Sequence, residues 1–85
     1  MRVRIEELGT GQHPSERVVR IQTQDGPQQL VVDRRSIQNQ SLDVGFPVGK
    51  SNGHWLVELP REAVQGVWRV WVSKDNVFDE ALEGR

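Results

Sequence analysis

The chain has 85 residues, 35% of them hydrophobic, with 11 basic and 12 acidic side chains and a formal net charge of -1. That length fits one small domain, 1–85, able to bury about 60–65% of its unfolded surface, and the balanced charge argues against a general binder of phosphate backbones. With no cysteine there is neither a disulfide framework nor a thiolate metal site, which points to a reducing compartment, the cytoplasm by default.

The first seven residues hold no apolar run of signal-peptide length, and no window approaches the roughly 20 apolar residues of a membrane span, so a soluble, unprocessed chain is expected. Residues 2 to 8 alternate Val3 and Ile5 against Arg2, Arg4 and Glu6, as a half-buried strand does, and the breakers of 9–15 end it near Leu8. Residues 17–23 and 28–33 then flank Gln24-Asp25-Gly26-Pro27. Pro27 has no N–H to close a two-residue turn, so a four-residue loop is predicted, with Ile21 opposite Leu30 and Val19 opposite Val32 on one apolar face. The outward face carries Val18, Arg20, Gln22, Gln29, Val31 and Asp33.

After a connection, 34–41, in which Ile37 is the expected anchor, a second hairpin centres on Asn52-Gly53, the pair that type I′ turns prefer. Counting outward sets Lys50 opposite Trp55, Val48 opposite Val57 and Phe46 opposite Leu59. Leu42, Val44, Phe46 and Val48 then share a buried face with Val57 and Leu59, while Trp55 sits at its rim under the Lys50 stem. Pro60 and Gly66 bracket a segment expected to form one helical turn. In Val67-Trp68-Arg69-Val70-Trp71-Val72 both faces of a strand are apolar, so the strand is covered twice or leaves a tryptophan for a partner. Arg69 shares a face with Trp71 and is hard to bury unpaired, which assigns Trp68, Val70 and Val72 to the core and leaves Trp71 exposed. Ser73 is placed to cap a short amphipathic segment containing Val77, Phe78, Ala81 and Leu82, and the acidic end, 79–85, is expected to fray. No internal repeat is visible.

Six strands joined by tight turns predict a mainly β fold: a small antiparallel barrel or two-layer roll with one or two short helical turns. In general architecture this resembles a small SH3-like or OB-like barrel.

Chemistry has few candidates. His13 and His54 lack further ligands at metal-site spacing, Gly9-Thr10-Gly11 does not open a phosphate-cradling helix, and the serines have no nucleophile context. Glu58 and His54 share a strand face, an arrangement more often solvated than catalytic. No metal, cofactor or catalytic residue is assigned, and no enzymatic activity is expected. The candidate binding residues are Trp71 and Arg69 on the tryptophan strand, the Arg34-Arg35 pair, and Arg20. They fit a non-enzymatic protein-interaction module or accessory subunit, which docks on a protein partner or on itself. The alternative is a single-stranded nucleic-acid binder that stacks bases on tryptophan and follows the backbone with these arginines. The near-zero charge and acidic end disfavour it.

Overall fold

A computed structural model describes residues 1–78. It is mainly β, with ten short strands and two 3₁₀ turns among the described residues. In chain order these are β1 (Arg2–Arg4), β2 (Glu6–Thr10), β3 (Glu16–Thr23), β4 (Gly26–Asp33), a 3₁₀ turn (Arg34–Ser36), β5 (Ile37–Gln38), β6 (Ser41–Asp43), β7 (Gly49–Ser51), β8 (His54–Glu58), β9 (Arg69–Ser73), a second 3₁₀ turn (Lys74–Asn76) and β10 (Val77–Phe78). They pair antiparallel into three sheets, β2-β3-β4, β7-β8-β9 and β10-β1-β6-β5. Of the two expected architectures, a barrel or a two-layer roll, no closed barrel is found among the described residues. Valines, leucines and isoleucines from all three sheets meet in one buried cluster, and among the described residues no helix is long and apolar enough to cross a membrane.

The strand pairing has an internal twofold repeat that the sequence conceals. Residues 1–38 run four strands, a 3₁₀ turn and a short strand, and residues 41–78 repeat that order. The four-stranded sheet reads the same from either end, β1 exchanging with β6 and β5 with β10. Registers agree residue by residue: Arg2 pairs with Phe78 and Val3 with Val77, as Ser41 pairs with Gln38 and Leu42 with Ile37. Loop hydrogen bonds repeat as well. Ile5 N–H donates to the Gln40 carbonyl (2.8 Å) and Val44 N–H to that of Met1 (3.0 Å); Arg34 N–H donates to Ser15 (2.8 Å) and Lys74 N–H to Gly53 (3.0 Å). Each 3₁₀ turn is capped by the residue before it, Asp33 or Ser73, accepting from the N–H two residues on. Each half sends its first strand across to pair with the other half's last, so the two halves are interlocked.

Several expectations change against this frame. In the first hairpin only Gln24 and Asp25 separate the paired Thr23 and Gly26, so Val19 faces Leu30 and Ile21 faces Gln28. Gly26 takes the left-handed conformation (φ 108°) and the Thr23 hydroxyl spans the turn to its carbonyl. Pro27 then enters β4, an edge strand, where a missing N–H is tolerated. A two-residue slip preserves the faces, and Val19, Ile21, Leu30 and Val32 are all buried as expected.

The Asn52-Gly53 turn forms with positive φ at both residues (50° and 79°), and Lys50 faces Trp55. The ladder stops at Gly49. Val48 N–H bonds the Leu56 carbonyl (2.8 Å), one residue out of register, and Gly45 at φ 74° followed by Pro47 turns the chain away. Leu42 and Val44 are buried against β1, whereas Phe46 is 87% and Val48 50% exposed. Residues 60–66 form no helical turn. A tight turn closes there instead, with Gly66 N–H on Ala63 (2.8 Å), and Ser73 caps a 3₁₀ turn that leads into a strand. Ala81, Leu82 and the rest of the expected frayed end lie outside the described residues.

Candidate interaction surface

The outward face of β7-β8-β9 is built by strand alternation. Gly49, Leu56 and Trp71 form one row across the three strands, with Glu58 and Arg69 beside it on one side and Ser51, His54 and Ser73 on the other. The Trp71 ring reaches across Leu56 as far as β7: a methyl group built on Gly49 would lie 3.6 Å from Trp71 Cη2 and 3.4 Å from Leu56 Cβ. The indole therefore lies across the sheet, half-buried, with its far edge beside a residue that has no side chain. Behind it the strand is fixed by Gln24 N–H, which donates to the Trp71 carbonyl (2.8 Å). Phe46 and Val48 lead into β7, one of the two edge strands of this sheet.

The tryptophan strand divides differently from expectation. Val70 and Val72 are buried, but Trp68 is 52% exposed. It precedes β9 and has the core-side parity, yet this end of the core is closed by Leu59 and Ala63, which are 3% and 4% exposed. Leu59 N–H donates to the Trp68 carbonyl (2.7 Å), so the backbone stays in the ladder while the ring is left outside. Trp55 lies at the rim as expected, with Lys50 Nζ 4.7 Å from its ring centre.

The candidate arginines do not form a common track. Arg69 Nε donates to Glu58 Oε2 (3.1 Å) and Arg20 Nε to Glu6 Oε1 (3.0 Å). Arg35 makes a forked pair with Asp33, Nη2 to Oδ2 at 3.1 Å and Nε to Oδ1 at 3.3 Å. The side-chain hydrogen bond from Arg35, reinforced by its backbone N–H, holds the Asp33 carboxyl below its ordinary range, and the same carboxylate raises Arg35. Arg34 is exposed on the neighbouring 3₁₀ turn. Arg20, Arg35 and Arg69 thus spend their charge on carboxylates of their own surface.

No enzyme-like constellation gathers among the described residues. Leu56 stands between His54 and Glu58 on the β8 face, and Glu58 is committed to Arg69. Among the described residues no group of three or more His, Cys, Asp or Glu side chains could hold a metal ion. A cleft of about 160 Å³ lies between Arg4, Ile5, Glu6, Arg20, Gln22 and Asn76, below the several hundred Å³ of an ordinary small-molecule site. Comparison with known protein families, curated proteins and solved structures finds no match.

Two features escaped the sequence reading. The Leu56–Trp71 pair was open to register counting, since both residues lie on outward faces of neighbouring strands. The exposure of Phe46 was signalled by Gly45 and Pro47 on either side of it.

Proposed function

We propose that the chain is a non-enzymatic protein-interaction module whose docking face is the outer surface of β7-β8-β9, centred on Trp71 and Leu56 and flanked by the Arg69–Glu58 pair. One comparison carries this reading: the two halves of the molecule agree inside and differ outside. Core positions are aliphatic in both, Val3 and Leu42, Ile5 and Val44, Val19 and Val57, Ile21 and Leu59, Val32 and Val72. All three tryptophans fall in the second half, at register positions that the first half fills with other residues. Trp55 faces Val72 as Arg17 faces Val32, and Trp71 faces Leu56 as Val31 faces Val18. Trp68 takes the place of Gln28. The first half builds the same strands without a large aromatic, so the fold does not require one there. Of the three, Trp71 stands on the outward sheet face beside Leu56, and a large, rigid amphipathic ring in that setting is what protein interfaces use as an anchor.

The paired arginines and the net charge weigh against the nucleic-acid alternative. The test is co-purification from the native lysate with and without nuclease, comparing wild type with Trp71→Ala and with Leu8→Ala, an exposed apolar residue of the first half. Loss of a stoichiometric protein partner from Trp71→Ala alone supports the reading. Nuclease-sensitive capture, or equal capture by all three proteins, counts against it.

A further inference from the structure

The interlocked halves are joined by very little chain. Between Gln38, the end of β5, and Ser41, the start of β6, stand only Asn39 and Gln40, and both are non-glycine residues held in the left-handed region, at φ 50° and 60°. Asparagine tolerates that conformation; glutamine rarely adopts it. The chain therefore reverses through a two-residue turn containing a residue poorly suited to it.

Neither half closes a core by itself. β1 pairs with β6 and β10, both from the second half, and the buried cluster draws Val3, Ile5, Val19, Ile21, Leu30 and Val32 from one half against aliphatic side chains of the other. Val64 N–H donates to Gln29 (2.7 Å) and Gln24 N–H to Trp71 (2.8 Å) across the same divide. Each half is thus a complement to the other, and nothing in those contacts requires both to come from one chain.

We infer that the molecule exchanges halves with a second copy of itself, residues 1–38 of one chain packing on residues 41–78 of another, with residues 39 and 40 as the hinge. In the exchanged dimer β5 runs on into β6 between two lobes. Each lobe rebuilds all three sheets with the pairings of the monomer, so almost all the contacts of folding are formed in either state. Only the turn differs. Opening it relieves two left-handed residues per chain, and association costs translational freedom, so protein concentration sets the balance. Short strained hinges favour this kind of exchange.

The test is to refold the full chain from denaturant at low and at high concentration and weigh the products by size-exclusion chromatography with light scattering. Wild type refolded at high concentration is expected to yield a slowly dissociating dimer. When that dimer is prepared from mixed isotope-labelled and unlabelled chains, NMR contacts between Val3 and Leu42 should link different chains. Gln40→Gly, which accepts positive φ, should lower the dimer share several-fold. Deleting residues 39 and 40 should leave dimers alone. The inference is overturned if wild type and the deletion variant are both folded monomers, or if a dimer forms whose Val3–Leu42 contacts stay within one chain. Should the deletion variant fail to fold, equal dimer shares for wild type and Gln40→Gly overturn it equally.

Discussion

Val3 and Leu42 face each other at the centre of the β1–β6 ladder, with 0% and 1% of their surfaces exposed. They are equivalent residues of the two halves, and the local twofold axis passes between them. Each also sits beside the other half-repeat's terminal strand, Val3 opposite Val77 and Leu42 opposite Ile37. Removing either side chain leaves a hole where four strands meet.

Leu42→Ala is therefore expected to destabilise by about 3 kcal/mol, the usual cost of a large buried truncation. Phe46→Ala, at a position almost wholly in water, should stay within about 0.5 kcal/mol. Urea midpoints compare them directly. If Phe46→Ala shifts the midpoint as far as Leu42→Ala, the strand 42–48 is continuous after all and Phe46 belongs to the core.

The three tryptophans should differ in accessibility in a fixed order. Trp68, 52% exposed, leads Trp55 and Trp71, each half-buried. Acrylamide quenching of three variants, each keeping one tryptophan, should be strongest for Trp68. Trp71→Ala should cost about 1–2 kcal/mol, because the ring packs on Leu56 but is not enclosed. Strong quenching protection at Trp68 would return it to the core and reverse this assignment.

How much of this was legible in the sequence depends on the range of the interaction. Alternation in 17–23 and 28–33 identified the buried face of the first hairpin, because a strand's two faces persist even when the register slips by two residues. Asn52-Gly53 identified its turn through local φ preference alone. The register of the first hairpin was missed because Gly26, not Pro27, decides where that turn ends. The twofold repeat was invisible because only patterns of burial are repeated: Val32 and Val72 agree, but Arg17 stands for Trp55 and Gln28 for Trp68. Of the candidate site, Trp71 and Arg69 come together on one sheet face with Leu56 and Glu58, while Arg20 and Arg35 are tied to carboxylates elsewhere. Those ion pairs link distant residues, as with Glu6 and Arg20, or depend on a turn that sequence spacing does not specify.

The Asp33–Arg35 pair makes one feature pH-dependent. Asp33 caps the first 3₁₀ turn through its carboxylate, and its folded-state pKa is depressed by the Arg35 side-chain and backbone hydrogen bonds. A depressed carboxylate stabilises above its unfolded pKa, and that contribution is lost as pH falls through the folded value. The pair is exposed, so the global effect is small. NMR titration should place the Asp33 carboxyl below an ordinary aspartate, and Arg35→Gln should move it upward. No upward movement would mean that the forked pair does not persist in solution.

Alternation places Arg2 on the solvent side of the strand from Val3, yet it is 8% exposed. Its guanidinium ties β6 to the first 3₁₀ turn: Nε donates to Ser41 Oγ (2.8 Å), and Nη2 to the carbonyls of Ser41 (2.9 Å) and Ser36 (2.9 Å). The planar fork can satisfy these acceptors together, whereas a lysine ammonium on a shorter donor set cannot. Arg2→Lys should cost roughly 2 kcal/mol, the loss of charged hydrogen bonds in a buried setting. Ser41→Ala, which removes one acceptor, should cost about 1 kcal/mol, and the double variant should cost less than the two added, since both act on one network. Arg4→Lys is the control, because Arg4 is exposed and its guanidinium lies 5.3 Å over the Phe78 ring, where an ammonium can also sit. Equal urea midpoints for Arg2→Lys and Arg4→Lys would show that the buried fork adds nothing to stability.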